Sequence, residues 1–169
     1  VPQKGYLFNG TIESNLRYAK EDASEEDLRE AAQTAQAMEF IEGKPKGFQT
    51  EIAQGGTNVS GGQRQRLSIA RALVKKPEIF IFDDTFSALD FKTDASLRKA
   101  LGELCEQTKC TVLLVAQRIS SIMHADRIVV LDQGAIVGIG THEELMDSCD
   151  VYREIAFSQL SKEELGHEQ

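Results

Sequence analysis

The run Val59-Ser60-Gly61-Gly62-Gln63-Arg64-Gln65-Arg66-Leu67-Ser68-Ile69-Ala70-Arg71-Ala72-Leu73 has the clearest capacity for chemistry. Ser60 is a natural N-cap, and Gly61 and Gly62 let a ligand approach the backbone closely. The first amides of the helix that follows lack intrahelical partners and carry the positive end of its dipole, which makes a ready anion site. The plain alternative is an ordinary N-capped helix with a basic face. A second place is the apolar run Ile79-Phe80-Ile81-Phe82, which ends in Asp83 and Asp84. A strand there delivers a carboxylate at its carboxyl end, where α/β folds collect ligands. Phosphate chemistry needs a cradle, a metal site and a group that positions water. The plain alternative here is a strand that ends in a solvated Asp-Asp turn.

The elements that must hold these residues are legible in outline. Leu67, Ala70 and Leu73 recur at helical spacing, so a helix from Ser60 to about Val74 pins one side to a core. Pro77 closes it. Four apolar residues in a row then predict a strand buried on both faces, as in a parallel sheet. Upstream, Val1-Pro2-Gln3-Lys4 reads as a strand end opening into a loop, and Thr11 to Tyr18 as a short helix after the Asn9-Gly10 turn. Ser24 and Asp27 form a capping-box-like start to an amphipathic helix through Leu28, Ala31, Ala32, Ala35 and Met38. Gly43 to Asn58, rich in Gly and polar residues, reads as a loop. Downstream, Leu97, Ala100, Leu101, Leu104 and Cys105 mark a helix, and Thr111–Ala116 and Arg127–Leu131 mark two strands. Asp132-Gln133-Gly134 is a hairpin-type turn into Ala135–Ile139. Thr141 caps a short helix, and Val151 to Leu160 makes a last one. Strands alternating with helices predict an α/β fold, with a mostly helical subdomain before Val74.

Composition narrows the partners. A chain of 169 residues with 41% hydrophobic content is enough for a folded core. A net charge of -8 argues against a nucleic-acid-binding surface, which needs clustered Lys and Arg. The three cysteines (Cys105, Cys110 and Cys149) lack metal-ligand spacing. Cys105 lies on the apolar side of its helix, so a buried free thiol and a reducing compartment are expected. No apolar run approaches the roughly 20 residues that cross a bilayer. The segment therefore reads as soluble, and its abrupt start at Val1-Pro2-Gln3 reads as a cut from a longer chain.

As a continuous match, the fifteen-residue run resembles the signature sequence of ABC-type ATPases. Asp83 at the end of its strand resembles the Walker B aspartate, which holds Mg²⁺, usually through water. Gln3, in Val-Pro-Gln before Leu7-Phe8-Asn9-Gly10-Thr11-Ile12, looks like the Q-loop glutamine that contacts Mg²⁺ and reports to the membrane domain. Thr85-Phe86-Ser87-Ala88-Leu89-Asp90 resembles the D-loop, which crosses the dimer interface, so Asp90 joins the nucleotide-binding set. Thr50-Glu51-Ile52-Ala53-Gln54-Gly55-Gly56 is similar to the exporter-type loop before the signature, and Gly138 to Leu145 to the closing segment of exporter cassettes. The resemblance covers the chain to about Leu160. It implies a partial P-loop NTPase core, a parallel sheet flanked by helices, with a helical signature subdomain. The implied division is a Q-loop and signature subdomain over 1–76, the carboxyl-terminal part of the α/β core over 77–160, and an acidic tail over 161–169.

Departures from the family pattern make the reading specific. The position after the Walker B aspartate is usually a glutamate that polarises the attacking water; here it is Asp84, one methylene shorter. In Leu113-Leu114-Val115-Ala116-Gln117-Arg118, Gln117 replaces the H-loop histidine. Glutamine can hydrogen-bond a phosphate oxygen but cannot become cationic or shuttle a proton. Asp84 and Gln117 thus stand at catalytic positions in weakened form, while Ser60, Gly61, Gly62 and Gln63 keep the nucleotide-binding pattern. Drift in an active enzyme is the alternative. His124 falls in a segment expected to face solvent, His142 belongs to a helix start and His167 to the tail. Gln54 stands where exporters often have Glu, and no G-x-x-x-x-G-K-[ST] phosphate loop occurs in the chain.

The expectation is an ATP-binding segment of an exporter at the cytoplasmic face of the cell membrane, with ATP and Mg²⁺ as cofactors. Its partners would be a second nucleotide-binding domain, as a heterodimer, and a transmembrane domain of the same chain. Without the phosphate loop, the isolated segment is expected to be inactive. The rival readings are a soluble ATPase of the same family acting on DNA or ribosomes, and a module that holds ATP without hydrolysing it.

Overall fold

Val1 begins beside the strand that carries the aspartates. Its amino group donates to the Ile81 carbonyl (2.6 Å), and the Asp83 amide donates back to the Val1 carbonyl (3.0 Å). This is the pairing expected of a strand end, and the chain leaves it directly into the Gln3 loop. The computed structural model describes residues 1–165. The chain divides into two units, Val1–Val115 and Ala116–Gln169, each with its own apolar cluster.

In the first unit, β1 (Gly10–Thr11) leads into α1 (Ile12–Arg17), where Thr11 and Ser14 form a reciprocal capping box. α2 (Glu25–Thr34) starts on the Ser24–Asp27 capping box read from the sequence. It does not continue to Met38. Gln36 takes a left-handed φ of 57°, its amide bonds the Gln33 carbonyl, and the Ala37 amide bonds the Ala32 carbonyl at 2.7 Å. That pair of bonds is a Schellman stop. Met38 belongs to a separate helix, α3 (Met38–Glu42). The stretch expected to be a loop over 43–58 also holds structure: β2 (Glu51–Ile52) pairs antiparallel with β1.

α4 (Gly61–Val74) buries Leu67, Ile69, Ala70, Leu73 and Val74 against α1 and α2. β3 (Ile79–Asp83) pairs in parallel with β4 (Thr111–Val115) through the crossover helix α5 (Phe91–Thr108). The expected burial on both faces of β3 is not found. Phe80 and Phe82 are buried, whereas Ile79 is 59% and Ile81 57% exposed. Within Val1–Val115, helices cover only the face that carries the phenylalanines.

Cys105 is not the buried free thiol expected from its place on the helix. It is half-buried and disulfide-bonded to Cys110, with Cα atoms 4.8 Å apart. Lys109 ends α5 in a left-handed turn (φ 57°), which folds Cys110 back toward the last helical turn. The buried free cysteine is Cys149. The free-thiol basis for a reducing compartment therefore does not hold for Cys105.

The second unit starts with the short α6 (Ile119–Ile122), followed by β5 (Ile128–Asp132) and β6 (Ala135–Gly140), an antiparallel hairpin. Gln133 and Gly134 both take positive φ (46° and 81°), which a type I′ turn requires. Thr141 caps α7 (His142–Ser148) through a capping box with Glu144, and α8 (Asp150–Leu165) follows. Residues 161–165 of the expected tail thus continue a helix; 166–169, including His167, lie outside the described residues. Among the described residues, no helix is long and apolar enough to cross a membrane.

Candidate nucleotide site

At the start of α4, the Ser60 Oγ accepts from the Gln63 amide (3.1 Å), and Gln63 Oε1 accepts from the Ser60 amide (3.2 Å). The two side chains cap the helix and each other. This leaves Gly61 and Gly62 at the positions whose amides have no carbonyl one turn back. A Cβ on Gly61 would meet nothing within 4 Å, and one on Gly62 would meet only the Ala88 carbonyl at 3.7 Å. The backbone at both glycines can therefore be approached closely from the side a Cβ would occupy. That fits a phosphate group, which needs close backbone approach and the positive helix end.

The carboxyl end of β3 gathers other expected residues. Asp83 is exposed at the strand's end. Asp84 follows with a left-handed φ of 45°, is 8% exposed, and donates its amide to the Val115 carbonyl (2.9 Å). Its Oδ2 accepts from Gln3 Nε2 at 2.7 Å. Gln3, Asp83 and Asp84 therefore stand together, and Thr85 Oγ1 ties the same corner to the Val1 carbonyl (2.8 Å). Among the described residues, no group of three or more His, Cys, Asp or Glu side chains could hold a metal by itself. Mg²⁺ commonly uses one or two carboxylates, water and substrate phosphates. The exposed Asp83 carboxylate at the strand's end is of the type such a partly hydrated Mg²⁺ uses.

Asp90 has a structural task that sequence reasoning missed. It is the N-cap of α5: Oδ1 accepts from the Thr93 amide (3.0 Å) and Oδ2 from the Thr93 hydroxyl (2.7 Å). The Thr93 bonds hold its carboxyl below the ordinary range, and the Arg66 charge adds to this. The signal was present in Asp90-Phe91-Lys92-Thr93, an acid three residues before a hydroxyl.

Gln117 lies in the second unit, exposed, and its carbonyl accepts from Gln159 Nε2 (2.6 Å). His124 is exposed, and His142 Nδ1 sits 2.8 Å from the Tyr152 hydroxyl at the start of α7.

The sequence also missed Gln65, which reads as one more polar residue of a basic helix yet is only 2% exposed. Its Oε1 accepts from the Gly5 amide (2.7 Å), and its Nε2 donates to the Pro2 carbonyl (3.2 Å).

With this geometry in view, the comparisons with known proteins are decisive. The family model described as ABC transporter matches residues 1–87. The chain belongs to the ABC transporter family. It is similar to an uncharacterized ABC transporter ATP-binding protein of Mycobacterium tuberculosis, 46% identical over 98% of this chain and 28% of that protein. It is also similar to an ATP-dependent lipid A-core flippase of Chromobacterium violaceum, 44% identical over 96% of this chain and 27% of the flippase. Among solved structures, a bacterial Atm1-family ABC exporter with ATP bound superposes with a TM-score of 0.86. That match has 38% identity and covers 91% of this chain and 27% of the exporter chain. The ABC chain thus spans about a quarter of the length of the relatives it matches. It carries part of the ABC ATPase fold, an α/β arrangement of helices and short sheets.

Proposed function

We propose that this chain is the carboxyl-terminal part of the nucleotide-binding domain of an ABC exporter. There it couples ATP binding and hydrolysis to export of small molecules across a membrane, facing the cytoplasm. The partners are a transmembrane domain of the same polypeptide and a second, different nucleotide-binding domain. The lipid A-core flippases and the Atm1-family exporter among its matches support the export reading.

The roles divide between two composite sites. The Gly61 and Gly62 amides and the Ser60 hydroxyl hold phosphate bound mainly by the partner domain. Asp83 and Gln3 present oxygen ligands on this chain's own side, where Mg²⁺, when bound, neutralises phosphate charge. Asp84 is the water-positioning group of that own side, and Gln117 stands in for a histidine. Asp84 is one carbon–carbon bond short of a glutamate, and small misplacements of a catalytic group cost rate heavily. Loss of a proton-transferring group typically lowers rate by about 10²–10⁴-fold. This chain's own site is therefore hydrolytically impaired, and its main contribution is the helix start lent to the neighbour.

The observation that carries this reading is the contrast between two places. The capped start of α4 is open over Gly61, while the Asp84 carboxylate is nearly buried and bonded to Gln3. The test is Ser60→Arg in the intact exporter, with ATP hydrolysis measured in the assembled pair. Arginine fills the open space and removes the hydroxyl, so turnover is expected to fall to background although Ser60 lies outside this chain's own site. Wild-type turnover in that variant overturns the assignment.

A further inference from the structure

Gln65 is the polar group that joins the two halves of this machinery. The geometry points to Gln65 as a positioning residue that fixes the Gln3 loop to the signature helix, so that the two move as one body. This rests on the functional reading above for its consequence, though not for the link itself.

The Gln65 amide uses both of its ends, and both go to the same short loop. Pro2 accepts and Gly5 donates, so the two bonds bracket Gln3. A glutamine buried to this degree in the middle of an amphipathic helix is costly unless its amide is satisfied. Here the satisfaction comes entirely from backbone, which ties the helix to the course of the loop. Gly5 shows how close the approach is. A Cβ there would stand 2.6 Å from Ser68 Oγ, 2.9 Å from Gln65 Oε1 and 3.2 Å from the Arg64 carbonyl. The loop lies close on α4, and a side chain at that point would have to displace the Ser68 hydroxyl and the Gln65 amide.

Beyond the bracket, Gln3 reaches Asp84 at 2.7 Å. A continuous path of hydrogen bonds therefore runs from α4 through Gln65 to Pro2 and Gly5, and from Gln3 to the end of β3. Displacing α4 carries the Gln3 loop with it. When phosphate engages the start of α4, Gln3 is drawn relative to Asp83 and Asp84. Without Gln65, α4 keeps its cap and its apolar anchors, but the loop loses its register on it.

The test uses the intact exporter with Gln65→Leu, which keeps bulk and removes both bonds. Hydrogen exchange is followed by mass spectrometry, first without nucleotide. Exchange in residues 2–8 is expected to rise about tenfold, the scale of one buried hydrogen bond lost, while residues 66–74 of α4 keep their protection. Unchanged exchange in 2–8, or equal loss across α4, overturns the proposal, because the latter marks general destabilisation. The second readout is the Mg²⁺ concentration for half-maximal ATP hydrolysis at this chain's own site, measured with the partner's site silenced. It is expected to rise about tenfold with kcat at saturating Mg²⁺ preserved within about twofold, since positioning and not chemistry is lost. If Gln65→Leu does not fold, Gln65→Glu keeps the acceptor for Gly5 and removes the donor to Pro2. Its exchange in 2–8 is expected to lie between wild type and free loop, and wild-type exchange there also overturns the proposal. If wild type hydrolyses no ATP while the exchange result holds, the functional reading fails and the link stands.

Discussion

At the residue scale, the role proposed for Asp84 rests on a carboxylate that reaches water on the nucleotide, whereas Asp84 is nearly buried and accepts from the Gln3 amide. Its left-handed backbone is an unusual conformation for a residue other than glycine, though aspartate tolerates it better than most. Restoring the longer acid and the ionisable ring, Asp84→Glu with Gln117→His, is expected to raise hydrolysis at the weak site. The gain should approach about 10²-fold if proton transfer is what the site lacks. Single-site turnover, measured with the other site silenced, is the check; an unchanged rate counts against this account of both positions.

At the scale of elements, helix starts carry much of the design. Ser60, Ser24, Thr11 and Thr141 each take part in a reciprocal capping box, and Asp90 caps α5. The Ser24 box includes Asp27, which also meets Lys76 at 2.8 Å just beyond the end of α4, where Lys76 reaches Glu30 at 3.0 Å as well. The Lys76 bond, then the Ser24 amide and hydroxyl, hold the Asp27 carboxyl well below its ordinary value of 3.8. A depressed acid binds fewer protons in the folded state than in the unfolded state. Its stabilisation is complete above the unfolded value and is lost as pH falls through the folded one. The melting-temperature advantage of wild type over Asp27→Asn is expected to be flat near neutral pH. It should shrink as pH drops below about 3.8. Thermal melts of both proteins from pH 7 down to pH ~3, spanning the carboxylate range, test it. An advantage unchanged to the acid end contradicts the Lys76 assignment.

For the whole molecule, the decisive feature is apolar surface. Ile79, Ile81, Leu113 and Val115 line one face of the β3–β4 pair and are exposed. Within the second unit, Val129, Leu131, Ile136 and Ile139 do the same on the β5–β6 hairpin. Contiguous exposed aliphatic residues of this kind mark surfaces that seek a partner. Expressed alone, the 169-residue chain is expected to self-associate, to bind a hydrophobic dye and to show no ATP hydrolysis. Ile81→Glu with Leu113→Glu should shift it toward monomer. Light scattering and dye fluorescence read the result, and a monodisperse wild-type chain contradicts it.

What the sequence determined by itself was local. Caps such as Ser24 with Asp27, and the Gln133-Gly134 turn, depend on groups within a few residues, so their signals are written in the chain. The signature run and the Asp83-Asp84 strand end were legible for the same reason, and with them the family. Tertiary structure decided the rest. The stop at Gln36 carries no glycine, and its bonds form only because Ala32 and Ala37 are both driven into the core. The two-residue β1–β2 pairing is too short for any periodicity to announce. One-sided burial of β3 depends on which helices cover it, and an apolar run reads alike whether one face or both are covered. Gln65 is the sharpest case: its type suggests solvent, and only the arrival of Pro2 and Gly5 from 60 or more residues away makes a buried amide cheaper than a leucine. Partners distant in sequence set these features, and local propensity has no access to them.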